Sequence, residues 1–255
     1  MNSRLMGWSL SAAAALVLGA CNTEVDEQCV VARAVFEGST GSFATTYTLK
    51  EGQTADRACA QLKPEAVGLQ KFYGVEDSEP DTVAIRTARM GKLLADLKVT
   101  PDPTSPNKPY AVGPLTTEAP GADNFCEVPA LAPARLEVPG QTFSYDWSNL
   151  RIYNTPEIPG TQFVADLRYT ENDCTAEYRV KGIWPVVKCG KTVTVDGVKQ
   201  TVADNTLCDP KPDFNAGRLR GSGINPIFPV TCAPTADAAT FICVLTGEVP
   251  SDRNP

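Results

Sequence analysis

Apolar residues recur at every second position over most of this chain, and at helical spacing in only two places. Val30, Ala32, Ala34 and Phe36 face one way, and Val31, Arg33, Val35 and Glu37 the other. After a Gly-Ser-Thr-Gly-Ser break (residues 38–42), Phe43, Thr45, Tyr47 and Leu49 repeat the pattern, so the two runs read as a β-hairpin with one buried face. Ala55, Ala58, Cys59 and Leu62 then share one face of a helix that Pro64 should stop. Val83, Thr87, Met90, Leu94 and Leu97 mark a second helix with Asp81 as its cap, although Val83 and Ile85 also suit the start of a strand. Gly91 weakens that helix by about 1 kcal/mol. The acidic stretch Glu76-Asp77-Ser78-Glu79-Pro80-Asp81 between them lacks the regular ligand spacing and central glycine of a calcium loop and reads as solvated.

The second half alternates more regularly. Phe143, Tyr145 and Trp147 share a face, Leu150–Tyr153 suits another strand, and Phe163, Ala165, Leu167 and Tyr169 form a third. A turn-like Glu171-Asn172-Asp173 leads into Ala176, Tyr178, Val180 and Gly182. This is the pattern of an antiparallel meander with one face buried. Asp196-Gly197, set between Thr192–Val195 and Val198–Val202, is the signature of a two-residue type I′ hairpin. Residues 228–232 and 240–245 read as a last strand pair.

Between the halves, residues 101–139 hold nine of the 21 prolines. Proline supplies no backbone donor and pushes its predecessor towards extended conformations, so regular structure is not expected here. The fold predicted is mainly β, α+β overall and stapled by disulfides. It has a small hairpin-plus-helices region over 29–100, a Pro-rich connector over 101–142, an antiparallel β-sandwich-like part over 143–250, and a tail over 251–255.

The N-terminus departs from all of this. A short segment with one positive charge, Arg4, precedes an apolar run from Trp8 to Leu18. At about 11 residues it is too short for the roughly 20 a spanning helix needs and has the form of a signal-peptide core. It ends in Leu18-Gly19-Ala20-Cys21, which resembles the lipobox of bacterial lipoproteins. That resemblance implies cleavage after residue 20, a diacylglyceryl group on Cys21, acylation of the new amine, and a tether over 21–28. Several acyl chains on one residue make a persistent anchor where one chain is marginal. Asn22, where inner-membrane lipoproteins often carry Asp, leans towards the outer membrane.

Setting Cys21 aside leaves eight of nine cysteines: Cys29, Cys59, Cys126, Cys174, Cys189, Cys208, Cys232 and Cys243. An even number suits complete pairing outside the cytoplasm. The expected pairs are local, Cys29 with Cys59, Cys189 with Cys208 and Cys232 with Cys243, which leaves Cys126 with Cys174.

Composition narrows the function by exclusion. The chain has no histidine, which removes Ser-His-Asp and Cys-His nucleophiles and the commonest metal ligand. A net charge of −7 without a long basic run argues against nucleic acid. There is no CxxC, no phosphate-binding GxxxxGK and no GxGxxG, so no metal and no cofactor is expected. Ser105 and Lys108 have the spacing of a Ser-Lys nucleophile, but Pro106 and Pro109 spoil the helical turn that pair needs. Carboxylate pairs can cleave glycosides, and their separation is not readable from a sequence. Phe143, Tyr145 and Trp147, or Trp184, would suit a sugar-stacking platform, although aromatics alternating in a strand are more often core.

Cys174–Pro185 and Gly221–Pro226 resemble segments of myxobacterial cell-envelope lipoproteins, a resemblance that brings no activity with it. The function expected is therefore that of an exported, lipid-anchored envelope protein, held to the membrane through Cys21, with a non-enzymatic structural role or a contact to another envelope protein. A glycan or small ligand is the second candidate, and a carboxylate-dependent hydrolase the third.

Overall fold

The computed structural model describes residues 27–33, 42–76, 78–96, 98 and 107–251. The expected signal segment, Cys21, Leu97 and the end of the tail therefore lie outside the described residues. The alternating segments form β1 (Ser42–Leu49), β2 (Glu65–Phe72), β3 (Thr82–Thr87), β4 (Ala111–Pro114), β5 (Phe125–Ala130), β6 (Ala134–Val138), β7 (Gln141–Asn154), β8 (Pro159–Glu171) and β9 (Cys174–Ile183). The helix α1 (Ala88–Asp96) follows β3.

These nine strands make one antiparallel sheet in the order β4-β3-β2-β1-β9-β8-β7-β5, with β6 also on β7. Its two ends meet. Val112 and Ala132 exchange both backbone hydrogen bonds, at 3.3 and 2.7 Å, Arg135 N donates to Lys108 O, and Thr116 N donates to Glu127 O. The sheet thus closes into a barrel, which removes the free edges an open sheet would carry. One side chain in two along each strand points inward and fills it: Phe43, Leu69, Ile85, Val128, Leu136, Tyr145, Leu167 and Tyr178 are all buried in a single core.

Mainly β, antiparallel and disulfide-stapled is what the alternation predicts, and the meander β7-β8-β9 lies where it was expected. The arrangement differs in being a closed barrel that draws on both halves of the chain, so the expected boundary does not separate two sheets. Residues 107–142 are strands β4, β5 and β6 rather than an irregular connector. Pro114 ends β4, Pro129 is the next-to-last residue of β5, and Pro133 and Pro139 fall in the connections between β5, β6 and β7. Leu150–Tyr153 is not a separate strand either. A bulge in β7 between Ser148 and Arg151, with Asn149 at φ 49°, switches the inward face from odd to even residues.

The first half needs three corrections. Among the described residues the partners of β1 are β2 and β9, and not residues 30–33 of the expected hairpin. Within 27–33 there is no strand, and Ala32 N donates to Gly160 O at 3.0 Å, while residues 34–41 lie outside the described residues. The helix expected around Cys59 is one 3-10 turn, Ala58–Ala60, because Pro64 leaves no room to propagate it before β2 begins. Residues 82–87 are a strand, and α1 starts only at Ala88, capped by Thr87, whose Oγ1 accepts from Met90 N at 3.1 Å. Asp81 instead pairs with Lys71 at 2.6 Å.

The remaining strands form two hairpins, β10 (Gly190–Val195) with β11 (Val198–Ala203) and β12 (Val230–Pro234) with β13 (Phe241–Leu245). Asp196 at φ 50° and Gly197 at φ 79° give the first its type I′ turn. β13 packs on the outside of the barrel wall, where Ala44, Val164, Ile183, Tyr153 and Phe125 meet Ile224, Phe228, Ile242 and Val244 in a second core. Gln162 locks the chain end there: its side-chain amide donates to Ser251 O at 3.1 Å and accepts from Ser251 N at 2.8 Å.

All eight cysteines after Cys21 are paired, as Cys29–Cys126, Cys59–Cys174, Cys189–Cys232 and Cys208–Cys243. None of the three pairs expected from nearness in sequence forms, nor does Cys126 with Cys174, the pair expected by exclusion. The first two bonds span 97 and 115 residues because barrel closure brings distant strands together. Cys232 and Cys243 do face each other across β12 and β13, yet the sulfurs of Cys189, Cys208 and Cys243 lie within 4.8 Å of one another, so facing positions do not select the partner.

Candidate functional site

Three features of the barrel bear on function: a polar cluster at one end, grooves on its outside, and the loop between β2 and β3, beside which Cys29 is held. The cluster grows from the phase of the strands. Glu65 opens β2 two residues before inward-facing Val67, and Glu171 closes β8 two residues after inward-facing Tyr169. Both acids therefore turn towards the barrel interior beneath α1. Glu65 accepts from Tyr47 Oη at 2.8 Å and from Arg89 N at 2.7 Å. Arg89 donates to Glu171 at 2.9 Å, Tyr169 Oη donates to the same oxygen at 2.7 Å, and the guanidinium lies 5.5 Å from the Tyr169 ring. Burial pushes the Glu65 carboxyl above its usual range, against the opposing pull of its bonds from Arg89 and Tyr47. Burial likewise raises Tyr47, Tyr145, Tyr169 and Tyr178. Both carboxylates are tied to Arg89, Glu65 through its backbone amide and Glu171 through its guanidinium, which ties α1 to the end of the barrel.

The expected sugar platform is corrected. Phe143, Tyr145 and Trp147 point into the barrel, with Tyr145 0% and Trp147 2% exposed, because their odd-numbered phase is the inward one before the bulge. Trp184, at the end of β9, is half-buried and lines an outside groove of about 480 Å³ with Thr161, Pro210, Lys211, Ile224 and Asn225. Thr161 Oγ1 is buried there with no hydrogen-bond partner among the described residues. The two stretches singled out by resemblance, 174–185 and 221–226, come together in this groove. A second open groove, of about 520 Å³, lies over the outer faces of β2 and β3. Its floor is low because Ala66, Gly68 and Ala84 are small, and Phe72, Arg86 and Tyr110 rim it.

At the opposite end of β2 from Glu65, the first described residues, from 27 onward, meet the barrel. Lys71 Nζ donates to Cys29 O at 2.8 Å and pairs with Asp81 at 2.6 Å, which holds the Asp81 carboxyl below its usual range. The Asp81 and Glu79 side chains accept from Gly74 N and Val75 N. The acidic stretch thus includes carboxylates that order their own loop.

A family model described as MlpA matches residues 41–185. This chain belongs to the MlpA family. A Myxococcus xanthus protein described as "Putative lipoprotein MlpA" is 32% identical to it over 202 residues, covering 76% of this chain and 75% of that protein. No solved structure matches. The matched segment runs through β1 to β9 and stops at Pro185, where the chain leaves the barrel, so the MlpA model corresponds to the barrel and not to the two hairpins outside it.

In this MlpA-family chain the other candidate residues form no site among the described residues. Ser105 lies outside the described residues, and Lys108 is exposed in a bridge to Arg135. Among the described residues, the one group of three close potential metal ligands is Cys189, Cys208 and Cys243, all held in disulfides and so not thiolates. Glu65, Arg89 and Glu171 were missed by motif search. The signal that finds the two acids is their period-two phase, which places each on the core face of its strand.

Proposed function

We propose that this exported lipoprotein is held at the cell envelope through Cys21, in the outer membrane, and acts there by non-enzymatic contact with another envelope protein. The observation that carries the reading is the groove over β2 and β3, a shallow apolar surface rimmed by Phe72, Arg86 and Tyr110. Its shape suits a protein segment laid across it better than an enclosed small molecule. Mass spectrometry of the mature protein should find acyl groups on Cys21, and Cys21→Ala should leave the membrane fraction. Cross-linking in native membranes should give a discrete adduct that is lost on combining Arg86→Glu with Tyr110→Ala. An adduct indifferent to both groove substitutions would overturn the interaction role.

The Trp184 groove supports a second reading, a glycan or small polar ligand stacked on the indole beside Lys211, Asn225 and Thr161. Cell-wall glycan fragments would then alter the fluorescence of the protein, and Trp184→Phe would abolish the change.

A further inference from the structure

We infer that the loop between β2 and β3 rests in the headgroup region of the membrane, through Phe72, Tyr73 and Val75. This rests on the anchoring of Cys21 proposed above. The three residues are 46%, 66% and 93% exposed; among the described residues most large apolar side chains are buried in two cores, with Phe214 and Leu219 the most exposed of the others, away from this loop in the sequence. A side chain such as tyrosine, with an apolar body and a polar tip, settles at a membrane interface.

What singles this loop out is where the anchor arrives. Cys29 is fixed to its base by the bond from Lys71, to the neighbouring loop by Cys29 N donating to Glu118 O at 2.7 Å, and to β5 by the disulfide with Cys126. Cys29 lies eight steps along the chain from Cys21, a reach of at most roughly 28 Å. An acylated Cys21 therefore keeps this end of the barrel within that distance of the bilayer and turned towards it.

The loop is ready-formed. Lys71 sits 4.7 Å from the Tyr73 ring centroid, and the bonds from Gly74 N to Asp81 and from Val75 N to Glu79 fix the turn. Gly74 is required, since a Cβ there would lie 2.2 Å from Glu79 O. Glu76, Glu79 and Glu118 are exposed at the same end and Lys71 is paired with Asp81, so the surface is acidic around its apolar tip. Such a surface suits a zwitterionic lipid face and is repelled by an anionic one.

The test uses the full lipidated chain in phosphatidylcholine vesicles whose acyl chains are brominated near the headgroup. Tyr73→Trp is compared with Lys92→Trp, an exposed position on α1 at the far end of β3. The buried Trp147 and half-buried Trp184 contribute the same background to both. Quenching should be several-fold stronger for Tyr73→Trp, Val75→Trp should behave likewise, and adding phosphatidylglycerol should weaken both. Protein that floats with the vesicles yet shows equal quenching at 73, 75 and 92 would overturn the loop contact while leaving the anchor intact. Protein that fails to float would overturn the anchor, and the loop contact with it.

Discussion

Gly182 and Gly91 both sit inside regular elements, yet replacing each by alanine should shift stability in opposite directions. A Cβ on Gly182 would lie 2.2 Å from Phe163 Cε1, a fully buried ring that occupies the space the missing side chain leaves on β9. Gly182→Ala should therefore cost about 1–3 kcal/mol through overpacking. A Cβ on Gly91 meets nothing within 4 Å, so Gly91→Ala should gain about 0.5–1 kcal/mol by removing helix-disfavouring backbone freedom. Urea midpoints of the two variants check this, and shifts of the same sign would contradict it. Gly182 was readable as an inward position from its phase; that Phe163 fills its place was not, because the ring comes from the neighbouring strand.

Among the elements, α1 shows how a boundary is decided. Apolar spacing alone runs from Val83 to Leu97, but β3 keeps residues 82–87 because β2 and β4 supply backbone partners on both sides. The helix begins only when that pairing ends, and Thr87 closes the strand and caps the helix at once. Thr87→Ala should cost about 1 kcal/mol, and Thr87→Ser should recover most of it, since serine retains the oxygen that accepts from Met90 N. Thermal denaturation of both variants decides the matter, and equal losses would show that the Thr87 methyl packing matters more than the cap. The bulge in β7 follows the same logic: a local change of phase read as two strands is one strand once β8 pairs along its whole length.

For the molecule as a whole, four tyrosines share one consequence. Tyr47, Tyr145, Tyr169 and Tyr178 are held above the usual value of 10.0, chiefly by burial. The folded chain keeps protons there that the unfolded chain loses. Their contribution is therefore fully present below that unfolded-state value and is lost as pH rises from it towards the raised folded-state values. Melting temperature should fall as pH rises above about 10, and the fall should be smaller in Tyr145→Phe. A flat profile over that range would refute the burial of these hydroxyls. The disulfides act at this scale too. In the chain-entropy model, closing a loop of roughly 100 residues contributes about 4.7 kcal/mol, so Cys29–Cys126 and Cys59–Cys174 stabilise the barrel more than local bridges would.

By itself the sequence determined the inward faces of β1, of β7 up to its bulge, and of β8 and β9, the Asp196-Gly197 turn, and the even number of cysteines after Cys21. All are properties of neighbouring residues: side-chain alternation has a period of two wherever a strand forms, and a tight turn depends on two adjacent dihedrals. Tertiary structure alone decided that β4 meets β5 and β6 to close a barrel, which cysteines bond, and that Glu65, Arg89 and Glu171 form one cluster. Backbone hydrogen bonds are the same for every sequence, so alternation does not name a strand's partner. The proximity that joins Cys59 to Cys174, or Tyr47 to Glu65, exists only after the sheet has curled.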